Sequence, residues 1–178
     1  MGKLAQMWFG KSADVDREVK ERFAEMVQRA QSGQMDDWKQ SPRGMLALII
    51  LLDQFPRHLF RNDPRSFAGD SLALAAAQAM RTARFDLELT PAERFVAYLP
   101  LMHAEDPAVQ KVSRALYREL KDTCPDALRP ALSKGSEMAD LHAEIIERFG
   151  RYPHRNAVLS RTSTEEETAF LASPNSSF

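Results

Sequence analysis

The sequence contains little cysteine and glycine and no long hydrophobic run. Of its 178 residues one is cysteine, Cys124, and seven are glycine. A single cysteine excludes an internal disulfide framework and any metal site built from several cysteines. Ten prolines and seven glycines are also far too few for a disordered or collagen-like chain. The composition is therefore that of a globular protein without covalent cross-links.

The chain also lacks an excess of charge and a membrane-spanning segment. Its 24 Lys and Arg residues nearly balance 25 Asp and Glu residues, so no net charge draws it to nucleic acid or to an anionic membrane. The longest apolar run, residues 45–52, is far shorter than the roughly 20 residues of a spanning helix, so we interpret it as a buried core helix. Residues 1–11 lack the apolar core of a secretory signal. We expect a cytoplasmic protein without nucleic-acid or membrane partners and without a cofactor.

Apolar residues recur at helical spacing along most of the chain. Thr90 opens the clearest helix, because Pro91 and Glu93 complete a capping box. We predict Asp14 as the N-cap of the first helix, Pro56 as the end of the second and Pro100 as a kink. The pattern predicts seven helices, starting near residues 14, 42, 64, 91, 107, 136 and 165.

These starts predict an all-α fold. Their spacing suits stacked antiparallel helix pairs in a superhelix like that of tetratricopeptide-repeat proteins. Since no consensus repeat is legible, a compact helical bundle is the alternative. We expect one domain over residues 1–172 and a flexible tail over residues 173–178.

Three stretches carry the polar groups that could serve a function. The first, residues 53–61, follows the most hydrophobic helix and contains Asp53, Arg57 and Arg61. Buried charges need partners, so Asp53 and Arg57 either pair with each other or with helix ends, or they line a cleft.

The second stretch, residues 98–106, contains His103 and Glu105 beside the expected kink. His103 is either a hydrogen-bonded core histidine or an acid, base or ligand near neutral pH. His103 and Glu105 alone do not complete a metal site, so we predict that the chain binds no metal.

The third stretch, residues 149–156, is a loop between two helices. Residues 148–161 contain four arginines, one histidine and no acid, and clustered arginines suit carboxylate or phosphate ligands. The alternative is that these arginines pair with acids of the first two stretches. The candidate residues of this loop are Arg151, His154, Arg155 and Asn156.

The same three stretches resemble a known family. They read LDQFPRHLFR (52–61), YLPLMHAED (98–106) and FGRYPHRN (149–156), and Thr164 with three glutamates follows them. Trp8-Phe9-Gly10 and Trp38 also fit the pattern of the family called domain of unknown function 924. The resemblance implies an all-α fold similar to tetratricopeptide-repeat superhelices. It implies no activity, because the family has none established.

Three interpretations of function remain open. In the first, the protein is a binding module whose groove holds a peptide or a small anionic ligand. In the second, it is an enzyme in which His103 or His154 acts as acid or base on an anionic substrate. In the third, the stretches are purely architectural. The first two require the three stretches to meet at one site, and no catalytic residue or oligomeric state is assigned.

Overall fold

The computed structural model describes residues 12–174 and 176. The regular structure in that part of the chain consists of α-helices, 3₁₀-helices and one π-helical turn, with no β-strand. The predicted all-α class is therefore confirmed. Trp8-Phe9-Gly10 and most of residues 175–178 lie outside the described residues. The described part contains α1 (Ala13–Gln31), α2 (Pro42–Ile49), α3 (Phe55–Leu59), α4 (Asp70–Thr82), α5 (Pro91–Ala97), α6 (Leu99–His103), α7 (Pro107–Thr123), α8 (Arg129–Phe149) and α9 (Glu165–Leu171).

None of the described helices is long and apolar enough to cross a membrane. Contacts divide the chain into two compact units, the first ending at Pro100 and the second beginning at Leu101. The single domain over residues 1–172, the superhelix and the bundle stay predictions.

The first unit is built around the apolar face of α1 and the hydrophobic run of α2. Val27 of α1 packs in one cluster with Leu48 of α2 and Ala73 of α4, and all three are almost fully buried. Alanine at position 73 lets α4 approach this cluster closely. The eight-residue apolar run is therefore a core segment, as its length predicted.

Local signals place most helix ends correctly. Thr90 forms the predicted capping box, and Gly33 and Gly150 end their helices with φ of 74° and 69°, where glycine carries no Cβ penalty. The prediction of Asp14 as N-cap is wrong, because Ser12 caps α1. Asp14 lies in the first turn of that helix and pairs with Arg17 at 2.7 Å.

Pro56 does not end the second helix. After α2 the chain widens into one π-helical turn, Ile50–Gln54, and continues directly as α3. The amide of Phe55 donates to the Ile50 carbonyl, and Pro56 then lies in the first turn of α3, where a missing N–H is tolerated. The wider turn thus accommodates the proline that sequence reasoning took as a stop.

Three other helices also differ in detail from the prediction. The expected kink near Pro100 is a break at Tyr98, between α5 and α6. The helix expected near 64 starts as a 3₁₀ turn, Pro64–Phe67, before α4 begins. The one expected near 136 begins at Arg129, with a proline in its first turn.

The second unit is dominated by the packing of α7 against α8. Leu116 and Leu120 of α7 are buried, as are Ala139 and Ala143 of α8. Beyond the end of α8, Tyr152 is completely buried in a cluster with residues of α8 and α9. This cluster fixes the loop that carries the third polar stretch.

Candidate functional site

The first polar stretch begins in the π-helical turn, which places Asp53 fully inside the first unit. Gln54 donates a hydrogen bond from its amide to the Asp53 carboxylate. Arg57 lies 3.3 Å from Asp53 and donates to Asp70 at 3.0 and 3.2 Å. Burial lowers the pKa of Arg57, but Asp53 and Asp70 more than compensate and raise it. Of the two interpretations of Asp53 and Arg57, pairing with each other and lining a cleft, the structure therefore shows the pairing.

Arg61 is also paired. Its guanidinium donates to both Asp16 oxygens, at 2.5 and 2.7 Å, and His58 contacts the same carboxylate at 2.9 Å. The Arg61 hydrogen bond lowers the pKa of Asp16, burial opposes it and His58 adds to it. Arg57 and Arg61 thus pair with acids of the first unit, and Asp53 is one of those acids. Their meeting with the other stretches stays a prediction.

The second and third stretches meet within the second unit, at Glu105. Its carboxylate accepts from Arg161 at 2.6 and 3.0 Å and from the Tyr152 amide at 2.8 Å. Burial raises the pKa of Glu105, but the hydrogen bonds from Arg161 and Tyr152 outweigh it and lower the value. Glu105 is therefore an ionised anchor for the loop.

Side chains also satisfy the carbonyl end of α6. Gln110 of α7 donates to the Met102 carbonyl at 2.8 Å, and the Tyr152 hydroxyl donates to the same oxygen at 2.6 Å. Arg155 donates to the His103 carbonyl at 3.0 Å. Because the last carbonyls of a helix have no partner within it, these bonds are the reason that α6 can end inside the unit.

Arg151 and Asn156 have a structural partner that sequence reasoning missed. Arg151 donates to both Glu167 oxygens, at 2.6 and 2.8 Å, and Asn156 donates to Glu167 at 3.2 Å. Glu167 also closes the capping box of α9 with Thr164. The Arg151 hydrogen bond, against the effect of burial, lowers the pKa of Glu167 to about 2. These groups tie the loop to α9.

The remaining polar groups gather around one aromatic ring. The rings of His142 and His154 lie 5.4 and 5.5 Å from the Tyr152 ring, and the Arg155 guanidinium lies over it at 4.5 Å. The His103 ring lies 6.2 Å from that of His142. We call these four side chains, together with the Tyr152 ring, the Tyr152 cluster.

Burial and neighbouring positive charge keep two of these imidazoles neutral. Burial lowers the pKa of His142 to about 3, and the nearby His103 contributes. Burial also lowers the pKa of His154 to about 4, with a further effect of Arg155. His142 is buried, whereas His103 and His154 are half-buried. At neutral pH, His142 and His154 are therefore neutral imidazoles beside the Arg155 guanidinium.

The Tyr152 cluster has no metal-ligand geometry. Within the described residues, no group of three or more histidine, cysteine, aspartate or glutamate side chains is arranged to hold a metal ion. The donor set that remains consists of imidazole and guanidinium nitrogens, which suit an anion.

The first unit also contains a cleft of about 510 Å³. Val27 and Gln31 of α1 line it together with Phe60 and Arg65. None of the nine candidate residues belongs to its lining among the described residues. The cleft therefore borders the first stretch at the apolar Phe60, while the candidate polar side chains lie outside its lining.

Sequence reasoning missed several residues that build the second-unit site. His142 lies on α8 at helical spacing from buried Ile145 and Ile146, a pattern that indicates a buried histidine. Arg161 was visible as one of the clustered arginines, but its partner is 56 residues away in sequence. Gln110 and Tyr152 carried no signal, because their side chains bond the Met102 carbonyl and each other, across 42 residues of sequence.

Comparisons with known proteins decide the family. A family model described as a bacterial protein of unknown function (DUF924) matches residues 1–175. This chain belongs to that family. A solved structure of protein of unknown function ATU0120 from Agrobacterium tumefaciens is 35% identical, with a TM-score of 0.81, over 93% of this chain and 88% of that chain. No curated protein matches the chain. The DUF924 resemblance read from the three stretches is thus confirmed, and the family assigns no activity.

Proposed function

We propose that the protein binds a small anionic ligand at the Tyr152 cluster. The observation that carries the proposal is that His142, His154 and Arg155 lie against one buried tyrosine ring, with His103 beside His142. Imidazole and guanidinium N–H groups are the donors that carboxylates and phosphates prefer.

The charges around the cluster support an anion. Glu105 is the acid that acts on His154, and its carboxylate is already engaged by Arg161. Arg155 adds a positive charge that acts on both His142 and His154. Arg155 and Arg161 together carry two positive charges against the one negative charge of Glu105, and a bound anion would balance the excess.

Ion pairs within each unit narrow the set of candidate ligand-binding residues. Arg57, Arg61 and Arg151 each form close ion pairs with acids of their own unit, so they would have to break strong bonds to hold a ligand. The proposed site consists of His103, His154 and Arg155 from the predicted set, with His142 and Tyr152 added. His103 and His154 are half-buried, so part of each residue is open to solvent.

The test is a binding titration with sulfate, inorganic phosphate and acetate at constant ionic strength, followed by NMR and by thermal unfolding. We expect specific chemical-shift changes in the cluster, and weaker binding to the variants Arg155→Lys and His154→Gln. Arg148→Gln is the matched control, because Arg148 belongs to the same arginine-rich segment but pairs with Glu166 at 2.8 Å on the surface. Absence of binding for all three anions overturns the proposal.

A peptide carboxylate would use the same donors. Titration with an acidic peptide that has a free C-terminal carboxylate, and with the amidated form of that peptide, tests whether the site binds a peptide. Competition between the free-acid peptide and sulfate supports a peptide-binding groove, whereas a peptide that leaves bound sulfate in place argues for a small ligand.

An enzymatic function is the second candidate, and the tautomer of His142 favours it. His142 Nδ1 lies 2.7 Å from the Met138 carbonyl, so this nitrogen donates and Nε2 carries the lone pair of a potential base. A pKa of about 3 makes that base weak in the free protein. Turnover of a phosphate ester or carboxylic ester that is lost in His142→Gln, with sulfate binding retained, supports the enzyme.

A further inference from the structure

We infer that the cleft of the first unit binds the amino-terminal residue of a peptide, with the ammonium group at Glu25 and the first carbonyl oxygen at Gln31. This site is separate from the Tyr152 cluster, because the described residues that line the cleft all belong to the first unit.

The cleft combines apolar walls with a few polar side chains. Its volume of about 510 Å³ lies within the range of small-molecule sites. Ala24 and Val27 of α1 and the Phe60 ring supply apolar surface, and Val27 is only 1% exposed. Gln28 and Gln31 supply side-chain amides from the same face of α1. Such a lining suits an apolar side chain that is attached to polar groups.

Gln31 has an unused hydrogen-bond donor. Its Nε2 is buried and has no hydrogen-bond partner among the described residues, although the side chain lines the cleft. A buried N–H without a partner is unfavourable, so a ligand oxygen that reaches it stabilises the complex. The last torsion of a glutamine side chain is soft, so the amide can turn toward a ligand in the cleft. Gln31 therefore indicates a ligand with an acceptor oxygen.

The charged side chains of the cleft favour a cation. Arg65 donates to both oxygens of Asp63, at 2.9 and 2.8 Å, and its guanidinium lies 4.5 Å from the centre of the Phe60 ring. The hydrogen bonds from Arg65 lower the pKa of Asp63 to about 2, so the pair stays ionised and the Arg65 charge is matched. Glu25 forms no ion pair within the described part of the chain. An ammonium group therefore finds its counter-charge at Glu25.

The separation of Glu25 and Gln31 suits one residue of a ligand. Six positions of an α-helix span about 9 Å along its axis. An ammonium and a carbonyl oxygen on neighbouring carbons, with a hydrogen bond of about 3 Å at either end, cover a similar distance. A free amino acid adds a carboxylate, for which the described lining offers no unmatched cation. The first residue of a peptide carries a neutral carbonyl instead, so it fits both partners.

The experiment titrates the full chain with the amidated tripeptide Leu-Gly-Gly and follows ¹⁵N NMR signals. We expect shifts in the Gln31 side-chain amide and in the backbone of residues 24–31. The N-acetylated tripeptide should bind at least about tenfold more weakly, because it loses a charge-assisted hydrogen bond. Free leucine, which carries the unmatched carboxylate, should also bind more weakly. So should amidated Gly-Gly-Gly, which lacks the apolar side chain.

Two variants with matched controls test the two polar partners. Glu25→Gln should weaken tripeptide binding at least about tenfold. Glu21→Gln changes an exposed acid of α1 outside the described lining and should leave binding unchanged. Gln31→Met removes the unpartnered donor, so it should weaken binding without lowering the thermal stability of the free protein. Gln34→Met is its control, because Gln34 is exposed and lies outside the described lining.

Four results would overturn the inference. The first is no binding of the tripeptide, and the second is a set of shifts confined to the second unit. The third is an acetylated tripeptide or free leucine that binds as tightly as the tripeptide, since the ammonium or the neutral carbonyl would then be irrelevant. The fourth is an equal effect of Glu25→Gln and Glu21→Gln on binding.

Discussion

Glu105 and Arg161 form a two-pronged ion pair across 56 residues of sequence, with N–O distances of 2.6 and 3.0 Å. Each side chain is about one-quarter exposed, at 24% and 23%. Glu105 also accepts from the Tyr152 amide, so the pair holds the loop after α8 against the residues that follow α6. Its contribution should be structural.

Loss of this pair should destabilise the second unit. In Arg161→Met, Glu105 keeps its Tyr152 bond but loses its counter-charge, and we expect the free energy of unfolding to fall by about 1–3 kcal/mol. Arg17→Met is the control, because Arg17 pairs with Asp14 on the surface, and its loss should cost less than about 0.5 kcal/mol. Chemical denaturation measures both. Equal effects of the two variants would contradict the assigned role of Arg161.

The Gln110 and Tyr152 side chains should be energetically coupled. Gln110 donates to the Tyr152 hydroxyl at 2.8 Å, and both bond the Met102 carbonyl. Tyr152→Phe leaves that buried carbonyl with one bond fewer, so we expect a loss of about 1–3 kcal/mol. A double-mutant cycle with Gln110→Met should give a coupling energy of at least about 0.5 kcal/mol. Strict additivity would show that the two side chains act independently.

Stability should fall in mild acid because the fold lowers the pKa values of His142 and His154. The pKa values of His142 and His154 in the folded protein are about 3 and about 4, below the value near 6.5 of an unfolded chain. Between these limits the unfolded state binds more protons, so stability is fully present above pH 6.5 and is lost as the pH falls. The slope should approach about 1.4 kcal/mol per pH unit for each histidine.

Urea denaturation at pH 7, 6 and 5 measures this slope in a buffer free of oxyanions. In His142→Gln, whose amide can still donate to the Met138 carbonyl, the slope should be shallower. The range stops at pH 5 because below it the unfolded chain begins to protonate carboxylates whose pKa values the fold lowers, among them Glu105 and Glu167, and this adds a second loss of stability. A parent protein equally stable at pH 7 and 5 would refute the prediction.

Gly69 should not tolerate a side chain. A Cβ at this position would collide with the Leu52 carbonyl of the π-helical turn, which is backbone and cannot move aside easily. We expect Gly69→Ala to lower the free energy of unfolding by about 1–3 kcal/mol. Ser71→Ala, an exposed change two residues further along α4, is the control and should have little effect. Thermal unfolding compares them, and a neutral Gly69→Ala would mean that the turn relaxes readily.

The sequence predicted the helices well because their signals are local. The capping boxes at Thr90 and Thr164 and the glycine at 150 act within one helical turn, so neighbouring residues suffice to read them. The failures have equally local causes. Ser12 competed with Asp14 as N-cap, and Pro56 looked like a helix end because a π-helical turn has no reliable sequence signal.

The candidate site was only partly readable. The sequence marked Arg151, Arg155 and His154 as unusual, but it could not say what each arginine contacts. Arg151 binds Glu167, whereas Arg155 lies over the Tyr152 ring. Two arginines of one loop thus have different neighbours, and the composition of the loop does not show which neighbour belongs to which arginine.

The amino-acid order by itself determined the helical class, most helix ends and the burial of the apolar run, since each depends on interactions between residues a few positions apart. Tertiary structure alone decided which charges neutralise each other and which imidazoles surround Tyr152. Those pairings join residues tens of positions apart, and their strength depends on distance and on exclusion of water, quantities that exist only once the chain is folded.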